Sequence, residues 1–415
     1  MSFLGELAAR RRFGMKPGLD TIRKVCAALG DPQKAFRAVH VAGTNGKGAA
    51  CALLDAALRA NGCRVGRYTS PHLVRLNERF FLDGVPLDDA SLENASQAVF
   101  AASGNIPDLT FFEALTAVAF KVYADAKVDR AVLECGLGGR LDATNVCRPE
   151  LCVITRIGLD HCDWLGDTVE KIAAEKAGIL KTGVPIVLGR NDDSVRAVVE
   201  ARAKEVGAPY HYAPDLADEE EIPADFALAG SFNRENAVTA LAALKVLGVP
   251  ARGWGDVVWP GRFQRVGRFI VDGAHNPPAA RALAAELVPQ TSQTSQSLNL
   301  IAGFCGDKDA VAVLSALAPF VTKGFAVRTN NPRSLSATDA ASKMVRAGIP
   351  ATACGSLREA IAGSDGPTLI CGSLFLAGEA LVELGAYPWD ATRFDASELL
   401  RQESATPNTR PSIRL

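Results

Sequence analysis

The sequence predicts an α/β fold in two domains: an N-terminal domain built on a parallel sheet and a smaller, Rossmann-like C-terminal α/β domain. Residues 36–190 alternate short apolar runs with helix-length segments, which is typical of a parallel sheet covered by helices on both faces. A stretch rich in Gly, Trp and Pro follows at 253–261, and after it the same alternation begins again. With 415 residues the chain is long enough for two or three domains.

The composition of the chain excludes several classes of protein. Hydrophobic residues make up 48% of the chain and charged residues 22%, as in ordinary soluble globular proteins. The formal net charge of −1 would not attract a polyanion, so we expect no nucleic-acid partner. No apolar run of about 18 residues and no secretory signal is visible. The ten cysteines are scattered without a C-x-x-C pair, so we expect a cytoplasmic protein with reduced thiols and no membrane partner.

Five apolar runs predict the strands of the first domain, at residues 36–42, 64–68, 128–133, 151–157 and 184–188. Helix-like segments are expected at 49–60 and 230–248. The first four apolar runs lead directly into polar or glycine-rich turns. Ligands of open α/β sheets bind outside the carboxyl ends of the strands. We therefore expect these four turns to meet at one edge of the sheet and to form a binding site there.

Three further apolar runs predict strands of the second domain, at residues 269–271, 298–303 and 368–371. Each of these runs is again followed by a polar turn. The pattern predicts four segments along the chain: a first domain over 1–253, a stiff linker over 254–262, a second domain over 263–390 and a polar tail over 391–415.

A glycine-rich turn joins the first predicted strand to the first predicted helix and consists of Gly43, Thr44, Asn45, Gly46, Lys47 and Gly48. Glycines let the backbone approach a phosphate, amides at a helix start point at it, and lysine neutralises its charge. The generic P-loop pattern is incomplete, because Val41 replaces its first glycine and Gly48 replaces the Ser or Thr after the lysine. We expect a P-loop-type phosphate site that takes its Mg²⁺ ligands from elsewhere; a purely structural turn is the alternative.

Polar residues at the other strand ends are candidates for those ligands. Glu134 follows the apolar run 128–133, and a carboxylate opposite a phosphate loop is where Mg²⁺ needs a ligand. Ser70 and His161 share this edge, although each alone could be an ordinary surface residue. In the second domain, Asp272 and His275 belong to a strand-end turn. They could form an Asx-type turn, or they could close on nucleotide bound to the first domain.

Taken together, these segments resemble the folylpolyglutamate synthase/dihydrofolate synthase family of the Mur ligase superfamily. In the first domain and linker the matching segments are FGMKPGLD at 13–20, HVAGTNGKG at 40–48, TSPHL at 69–73, ECGLGGRLDATN at 134–145, LDH at 159–161, EKAGI at 175–179 and PGR at 260–262. In the second domain they are DGAHNP at 272–277, GDKD at 306–309, NPRS at 331–334 and GSLFLAGE at 372–379. They stand in the family's order over residues 13 to 380, and RLDATN combined with DGAHNP favours the folate enzymes over the cell-wall branch.

The resemblance implies a role for each matching residue. Contacts to ATP are implied for Gly43, Thr44, Asn45, Gly46, Lys47, Gly48, Asn236, Arg262, Asp272 and His275. Mg²⁺ ligands are implied at Ser70, Glu134, His161 and Lys176, the last of which matches a lysine that is carbamylated in this family. Substrate contacts are implied for Arg140, Asp142, Ala143 and Ser373, and direct catalytic roles for Lys47, Lys176 and His275. One departure is Ala49, which replaces the serine usual in the family's loop.

The implied reaction is the ATP-dependent ligation of L-glutamate to dihydropteroate, to the γ-carboxylate of folate glutamates, or to both, through an acyl phosphate. ATP, two Mg²⁺ ions and a monomeric protein belong to that expectation. One alternative is a Mur-type ligase that adds an amino acid to a UDP-MurNAc substrate. It would be expected to need an extra N-terminal domain, whereas the glycine-rich loop begins at residue 43. A second alternative is a non-catalytic nucleotide-binding regulator, which only the altered loop at Ala49 supports.

Overall fold

Two sheets, each covered by helices on both faces, make up the computed structural model of the chain. It describes residues 18–104, 106, 108–294, 297–306 and 308–389. The first part of the FGMKPGLD segment, Asp307 of GDKD and the predicted polar tail therefore lie outside the described residues.

The first sheet contains β1 (Arg37–Ala42), β2 (Val65–Tyr68), β3 (Phe80–Leu82), β4 (Val85–Pro86), β5 (Arg130–Glu134), β6 (Pro149–Ile154), β7 (Ile186–Leu188) and β8 (Tyr210–Tyr212). Their order is β4-β3-β2-β5-β1-β6-β7-β8, and six of the strands run parallel. At one edge β3 pairs antiparallel with both β2 and β4, and the predicted parallel sheet lacked this antiparallel edge. Asp83 and Gly84, both with positive φ, form the two-residue turn between these strands.

The second sheet contains β9 (Gln264–Val266), β10 (Phe269–Val271), β11 (Leu298–Ala302), β12 (Val321–Ala326), β13 (Ala351–Ala353) and β14 (Thr368–Cys371). Its order is β13-β12-β11-β14-β10-β9. All neighbouring pairs are parallel except β10 and β9, which form an antiparallel edge. The predicted α/β character of this domain is confirmed.

Fourteen helices cover these sheets in the described part of the chain. They are α1 (Asp20–Ala28), α2 (Lys47–Ala60), α3 (Asp89–Ser103), α4 (Phe111–Asp125), α5 (Cys162–Leu165), α6 (Val169–Ala177), α7 (Asp193–Val206), α8 (Ala213–Leu216), α9 (Ser231–Leu247), α10 (Pro277–Thr294), α11 (Ala310–Leu317), α12 (Ala337–Arg346), α13 (Leu357–Gly363) and α14 (Leu374–Glu383). Short 3₁₀ turns lie at Pro32–Lys34, Leu76–Arg79, Ala143–Val146 and Ala318–Phe320. In the portion that the structure describes, every helix is too short or too polar to cross a membrane.

The strands of the first sheet are apolar on both sides because helices cover both faces. Along β1, Val39 and Val41 pack with helices α2 and α9, whereas Ala38 packs on the opposite face with α1 and α4. Every residue of β1 except the first is buried. The sheet therefore holds the turns at its carboxyl edge on a rigid base.

The segment between the two sheets packs against the first domain. Trp254 is fully buried in the core between α2 and α9, and its indole Nε1 donates a hydrogen bond to the carbonyl of Leu53 at 3.0 Å. Val257 is 7% exposed, and Pro260 is also buried. The segment predicted as a stiff linker thus packs against the core of the first domain at Trp254, Val257 and Trp259.

Candidate active site

The glycine-rich loop begins where β1 ends and leads into α2, which starts at Lys47. Gly46 precedes that start with φ of 86°, a conformation that glycine adopts without strain. A Cβ at Gly46 would lie 2.0 Å from Oδ1 of Asn236 on α9. Position 46 therefore requires glycine for its conformation and for space, and the predicted ATP residue Asn236 lies against the loop.

The loop is also tied to the turn that follows β6. The amides of Thr44 and Asn45 both donate to the carbonyl of Arg156, at 2.9 and 3.2 Å. The hydroxyl of Thr155 donates to the carbonyl of Asn45 at 2.7 Å. The first-turn amides of α2 have no intrahelical acceptors. They are therefore the groups of this loop that can bind a phosphate.

Lys47, Glu134 and Ser70 meet beside this loop. The ammonium of Lys47 donates to the carbonyl of Thr44 at 3.2 Å and lies 3.8 Å from Oε1 of Glu134. Oε2 of Glu134 accepts a hydrogen bond from the amide of Ser70 at 3.0 Å. Burial raises the pKa of Glu134, whereas the charge of Lys47 opposes that rise. A buried carboxylate next to a serine and a phosphate loop suits a hard divalent cation.

Lys176 lies on the other side of the loop. Although a lysine on α6 could have been a surface residue, it is 4% exposed, and its ammonium nitrogen lies 2.7 Å from the carbonyl oxygen of Gly43 as hydrogen-bond donor. Burial, together with the charge of Lys47, lowers the pKa of Lys176 to about 7. A large fraction of the amine is therefore neutral near pH 7, and only a neutral amine reacts with CO₂ to form a carbamate.

His161 stands at the rim of this group. It begins the short helix α5 in the left-handed conformation, with φ of 52°, and its side chain is 41% exposed. Its Nε2 lies 3.8 Å from Oδ1 of Asp160. Among the described residues, no three His, Cys, Asp or Glu side chains form a cluster that could hold a metal ion. A metal site here therefore also needs ligands of other types, such as Ser70 or a modified Lys176.

Asp272 of the second domain makes an Asx-type turn. Its Oδ1 accepts a hydrogen bond from the amide of Ala274 at 2.7 Å, and Oδ2 accepts one from the amide of Phe263 at 2.8 Å. Burial raises the pKa of Asp272, and the charge of Arg262 opposes that rise. Burial lowers the pKa of Arg262, and the negative charges of Asp272 and Glu134 oppose that decrease. Its guanidinium thus interacts electrostatically with a carboxylate of each domain.

His275 follows in the same turn and is held in one tautomer. Its Nδ1 lies 2.8 Å from the carbonyl oxygen of Gly273, which can only accept, so Nδ1 carries the proton. Burial lowers the pKa of His275 to about 4, with a further contribution from the charge of Lys308. The imidazole is therefore neutral at pH 7, and its Nε2 is a hydrogen-bond acceptor.

Asp160 joins the two domains at this edge. Its Oδ2 accepts a hydrogen bond from the amide nitrogen of Asn276 at 2.8 Å, and its Oδ1 accepts one from Lys308 at 3.1 Å. Burial would raise the pKa of Asp160, but His161, Lys308 and His275 together hold it well below the usual range. No role is predicted from the sequence for Asp160, Asn276 or Lys308. Glu134 was indicated because it is a polar residue after a buried strand. Asp160 follows β6 and Lys308 follows β11, so the same signal was available for both.

Of the three predicted substrate residues of the first domain, two are buried and one is exposed. Asp142 is 6% exposed and accepts hydrogen bonds from the amides of Leu137 and Thr144, so its carboxylate organises the turn after β5. Ala143 is 5% exposed and belongs to the core. The side chain of Arg140 is 56% exposed and forms an ion pair with Glu175, the neighbour of Lys176, at 2.8 Å.

Ser373, the predicted glutamate-side residue, caps helix α14. Its hydroxyl accepts a hydrogen bond from the amide of Phe375 at 3.1 Å, and the residue is 4% exposed. Ser373 and the Asp272–Asn276 turn follow neighbouring strands, since β14 pairs with β10. The carboxyl edge of the second sheet thus carries both predicted groups.

Two family models match this chain. The Mur ligase middle domain matches residues 41–244, and the Mur ligase glutamate ligase domain matches residues 261–366. The dihydrofolate synthase/folylpolyglutamate synthase of Bacillus subtilis is 37% identical over 313 residues, which are 66% of this chain and 73% of the relative. The chain belongs to the folylpolyglutamate synthase/dihydrofolate synthase family.

Solved structures of this family share the fold. The Escherichia coli FolC structure in complex with DHPP and ADP has a TM-score of 0.81 and 30% identity, over 93% of this chain and 98% of that one. A bifunctional folylpolyglutamate synthase/dihydrofolate synthase with Mn, AMPPNP and L-glutamate bound has a TM-score of 0.80 and 32% identity, with the same coverage. The architecture described above is therefore that of the family.

Ala49 stands at the position where the resemblance to the family predicts a serine. Ala49 is 3% exposed in the first turn of α2, so a side chain there points into packed protein. The neighbouring Gly48 has even less room, because a Cβ there would lie 2.0 Å from the indole of Trp259. Of the two positions after Lys47, the first thus has no space for a hydroxyl.

Proposed function

We propose that this chain is an ATP-dependent ligase that joins L-glutamate to dihydropteroate, to the γ-carboxylate of folate glutamates, or to both. The observation that carries the proposal is the position of Lys47, Glu134 and Lys176 around one loop at the edge that the second domain closes. The family relatives support the substrate class, since one of their structures holds DHPP with ADP and another holds L-glutamate with AMPPNP.

ATP would bind with its phosphates on the first turn of α2. The amides there are directed at an anion, and Lys47 supplies a positive charge next to them. Asn236 lies against Gly46 and would contact the nucleotide beside the loop. Arg262 would approach from the linker, because its guanidinium lies within the fields of Glu134 and Asp272.

Ser70 and Glu134 would hold one Mg²⁺, and His161 with carbamylated Lys176 would hold a second. Mg²⁺ would neutralise phosphate charge and orient the γ-phosphoryl group. Lys176 fits this role only as a carbamate, since an ammonium cannot ligate a cation. Its burial and its pKa of about 7 favour the neutral amine from which the carbamate forms.

The reaction would take place in two steps. A carboxylate oxygen of the acceptor attacks the γ-phosphorus of ATP, and the bond to ADP breaks, which gives an acyl phosphate. Lys47 and Arg262 would stabilise the negative charge that develops on the phosphoryl oxygens. The amine of glutamate then attacks the acyl carbon, phosphate leaves with the carboxylate oxygen, and an amide forms.

His275 would orient the attacking amine by accepting a hydrogen bond from its N–H at Nε2. Its Nδ1 is committed to the carbonyl of Gly273, and its pKa of about 4 keeps Nε2 unprotonated at pH 7. The bonds of Asp160 to Asn276 and Lys308 would hold this turn over the reaction centre and keep water from the acyl phosphate. Because a single chain supplies both sides of the site, we further propose that the protein acts as a monomer.

The test offers one acceptor at a time. The protein is incubated with ATP, Mg²⁺ and L-glutamate, and dihydropteroate, a reduced folate or a UDP-MurNAc peptide is added. The proposal predicts phosphate release that depends on glutamate and on one or both of the pterin acceptors. Release only with the UDP-sugar, or nucleotide binding with no release at all, would exclude the folate ligase.

A further inference from the structure

The indole ring of Trp259, in the segment that joins the two sheets, rests on the phosphate loop. A Cβ at Gly48 would lie 2.0 Å from Cζ2 and 2.6 Å from Cη2 of this ring. Gly48 is the second residue of α2 and follows Lys47 directly. The ring therefore fills the place where a generic phosphate loop carries the hydroxyl of a serine or threonine.

Trp259 has a second support in the first domain. The guanidinium of Arg67 on β2 lies 5.7 Å from the centre of the Trp259 ring and 3.8 Å from the centre of the Phe81 ring. Arg67 is itself fixed, because it is buried and one of its nitrogens lies 3.4 Å from Oδ2 of Asp55 on α2. The indole thus sits between the loop and a buried ion pair.

The turn after Trp259 is equally constrained. Pro260 fixes its own φ, and the amide of Gly261 donates to the side chain of Gln264 at 3.0 Å. The carbonyl of Gly261 accepts hydrogen bonds from the amide of Gly273 at 2.8 Å and from the guanidinium of Arg262 at 3.0 Å. A short, rigid turn therefore connects the ring on the loop with Arg262 at the site.

We propose that Trp259 is a positioning residue that fixes the interdomain segment to the phosphate loop and so sets Arg262 in register with Lys47. The inference rests on the proposed function only in taking the loop as the ATP site. It also accounts for Gly48: glycine is required there because the indole of Trp259 occupies the space of a side chain.

The first test is a double-mutant cycle on the affinity for Mg-ATP, measured by calorimetry without acceptor or glutamate. Gly48→Ala should weaken binding at least about tenfold, because the added methyl group collides with the indole ring of Trp259. In a Trp259→Ala background the same Gly48→Ala change should weaken Mg-ATP binding less than about threefold, because the indole with which the methyl group collides is absent. If Gly48→Ala weakens Mg-ATP binding equally in both backgrounds, the contact with Trp259 is not the reason why position 48 requires glycine.

The second test separates positioning from a merely structural role. Trp259→Ala should raise the KM for ATP about tenfold or more and leave the KM for glutamate within about twofold, while Trp259→Phe, which keeps an aromatic ring, should recover most of the loss. Val258→Ala is the matched control, since the neighbouring Val258 is 48% exposed. Equal increases in both KM values, or none, would overturn the proposal.

The two hypotheses can fail separately. If the parent protein does not bind Mg-ATP at all, the proposed function fails. If the parent binds Mg-ATP, and both Trp259→Phe and Trp259→Ala bind it as tightly as the parent does, only the role of Trp259 fails. Should Trp259→Ala not fold, the cycle is completed with Trp259→Leu, whose smaller, non-aromatic side chain also leaves room for a methyl group at Gly48.

Discussion

Lys308 of the second domain donates a hydrogen bond to Asp160 of the first at 3.1 Å, and both side chains are about 85% buried, with 15% and 13% of their surface exposed. Removing either partner leaves the other charge largely buried without its counterion, which is costly. We expect Asp160→Asn and Lys308→Met each to lower kcat/KM by roughly a hundredfold, because the turn with His275 loses its position.

The double variant should be little worse than either single variant, since the second change removes nothing further. Steady-state kinetics with small-angle scattering would measure both the rate and the interdomain arrangement. The matched control is Arg358→Met, which breaks an exposed ion pair with Glu383 in the same domain and should change neither. Multiplicative losses in the double variant would show that Asp160 and Lys308 act independently.

Lys47 provides the positive charge beside the loop. Lys47→Ala should reduce turnover by at least about a thousandfold, because the ammonium that would face the phosphates is lost. It should leave the circular dichroism spectrum unchanged, because the hydrogen bond of Lys47 to Thr44 and its ion pair with Glu134 both lie within the site. Lys204→Ala, on the exposed side of α7, is the control and should behave like the parent. Turnover retained in Lys47→Ala would remove this loop from the mechanism.

Lys176 is predicted to act as a carbamate. Lys176→Arg keeps the positive charge but cannot be carbamylated, so the Mg²⁺-dependent rate should fall at least about tenfold at every Mg²⁺ concentration. Removal of dissolved CO₂ should slow the parent and leave the variant as it was. A carbon-13 resonance from labelled bicarbonate would report the carbamate directly. Equal rates for parent and variant throughout would contradict the assignment.

The same lysine predicts how stability depends on pH. In CO₂-free buffer Lys176 has a pKa of about 7 in the folded protein, against an ordinary value of 10.5. Between these values the unfolded chain binds more protons, so Lys176 makes the folded state more stable as the pH rises and less stable as it falls towards 7.

Denaturant unfolding of the parent and of Lys176→Met between pH 7 and 10 measures this effect. The slopes of the unfolding free energy against pH should differ by up to about 1.4 kcal/mol per pH unit, with the parent steeper. When the measurement is extended well below pH 7, where Lys176 is protonated in both the folded and the unfolded state, the two curves should run parallel. Parallel curves over the whole range would show that Lys176 keeps an ordinary pKa in the folded protein.

The sequence predicted the central strands well because they are buried on both faces. The apolar runs at 36–42 and 269–271 correspond to β1 and β10 within one residue. It missed the hairpin of β3 and β4, and also β8, β9 and β13, because segments of two or three residues show no periodicity. It also missed the six-residue strand β12, whose second and third residues are exposed. The Asp83-Gly84 pair was the available signal for that hairpin.

The candidate site was less visible from the sequence. Strand ends pointed to Glu134 and Asp272, but nothing in the local pattern distinguishes a lysine such as Lys176 that faces the loop from one that faces solvent. Only the packing of α6 against the loop decides it, and this is a long-range contact between Lys176 and Gly43. The pairing of Arg140 with Glu175 is likewise a tertiary contact.

The central claim is that this chain forms an acyl phosphate from the acceptor carboxylate and ATP. The most direct measurement uses an acceptor that the protein ligates, dihydropteroate or a folate glutamate, labelled with oxygen-18 in its reacting carboxylate, together with ATP, Mg²⁺ and L-glutamate, and examines the released phosphate by mass spectrometry. An acyl-phosphate mechanism predicts ADP, phosphate and the glutamate adduct in equal amounts, with one labelled oxygen in each phosphate. Adduct formation with unlabelled phosphate, or phosphate release without adduct, would contradict it.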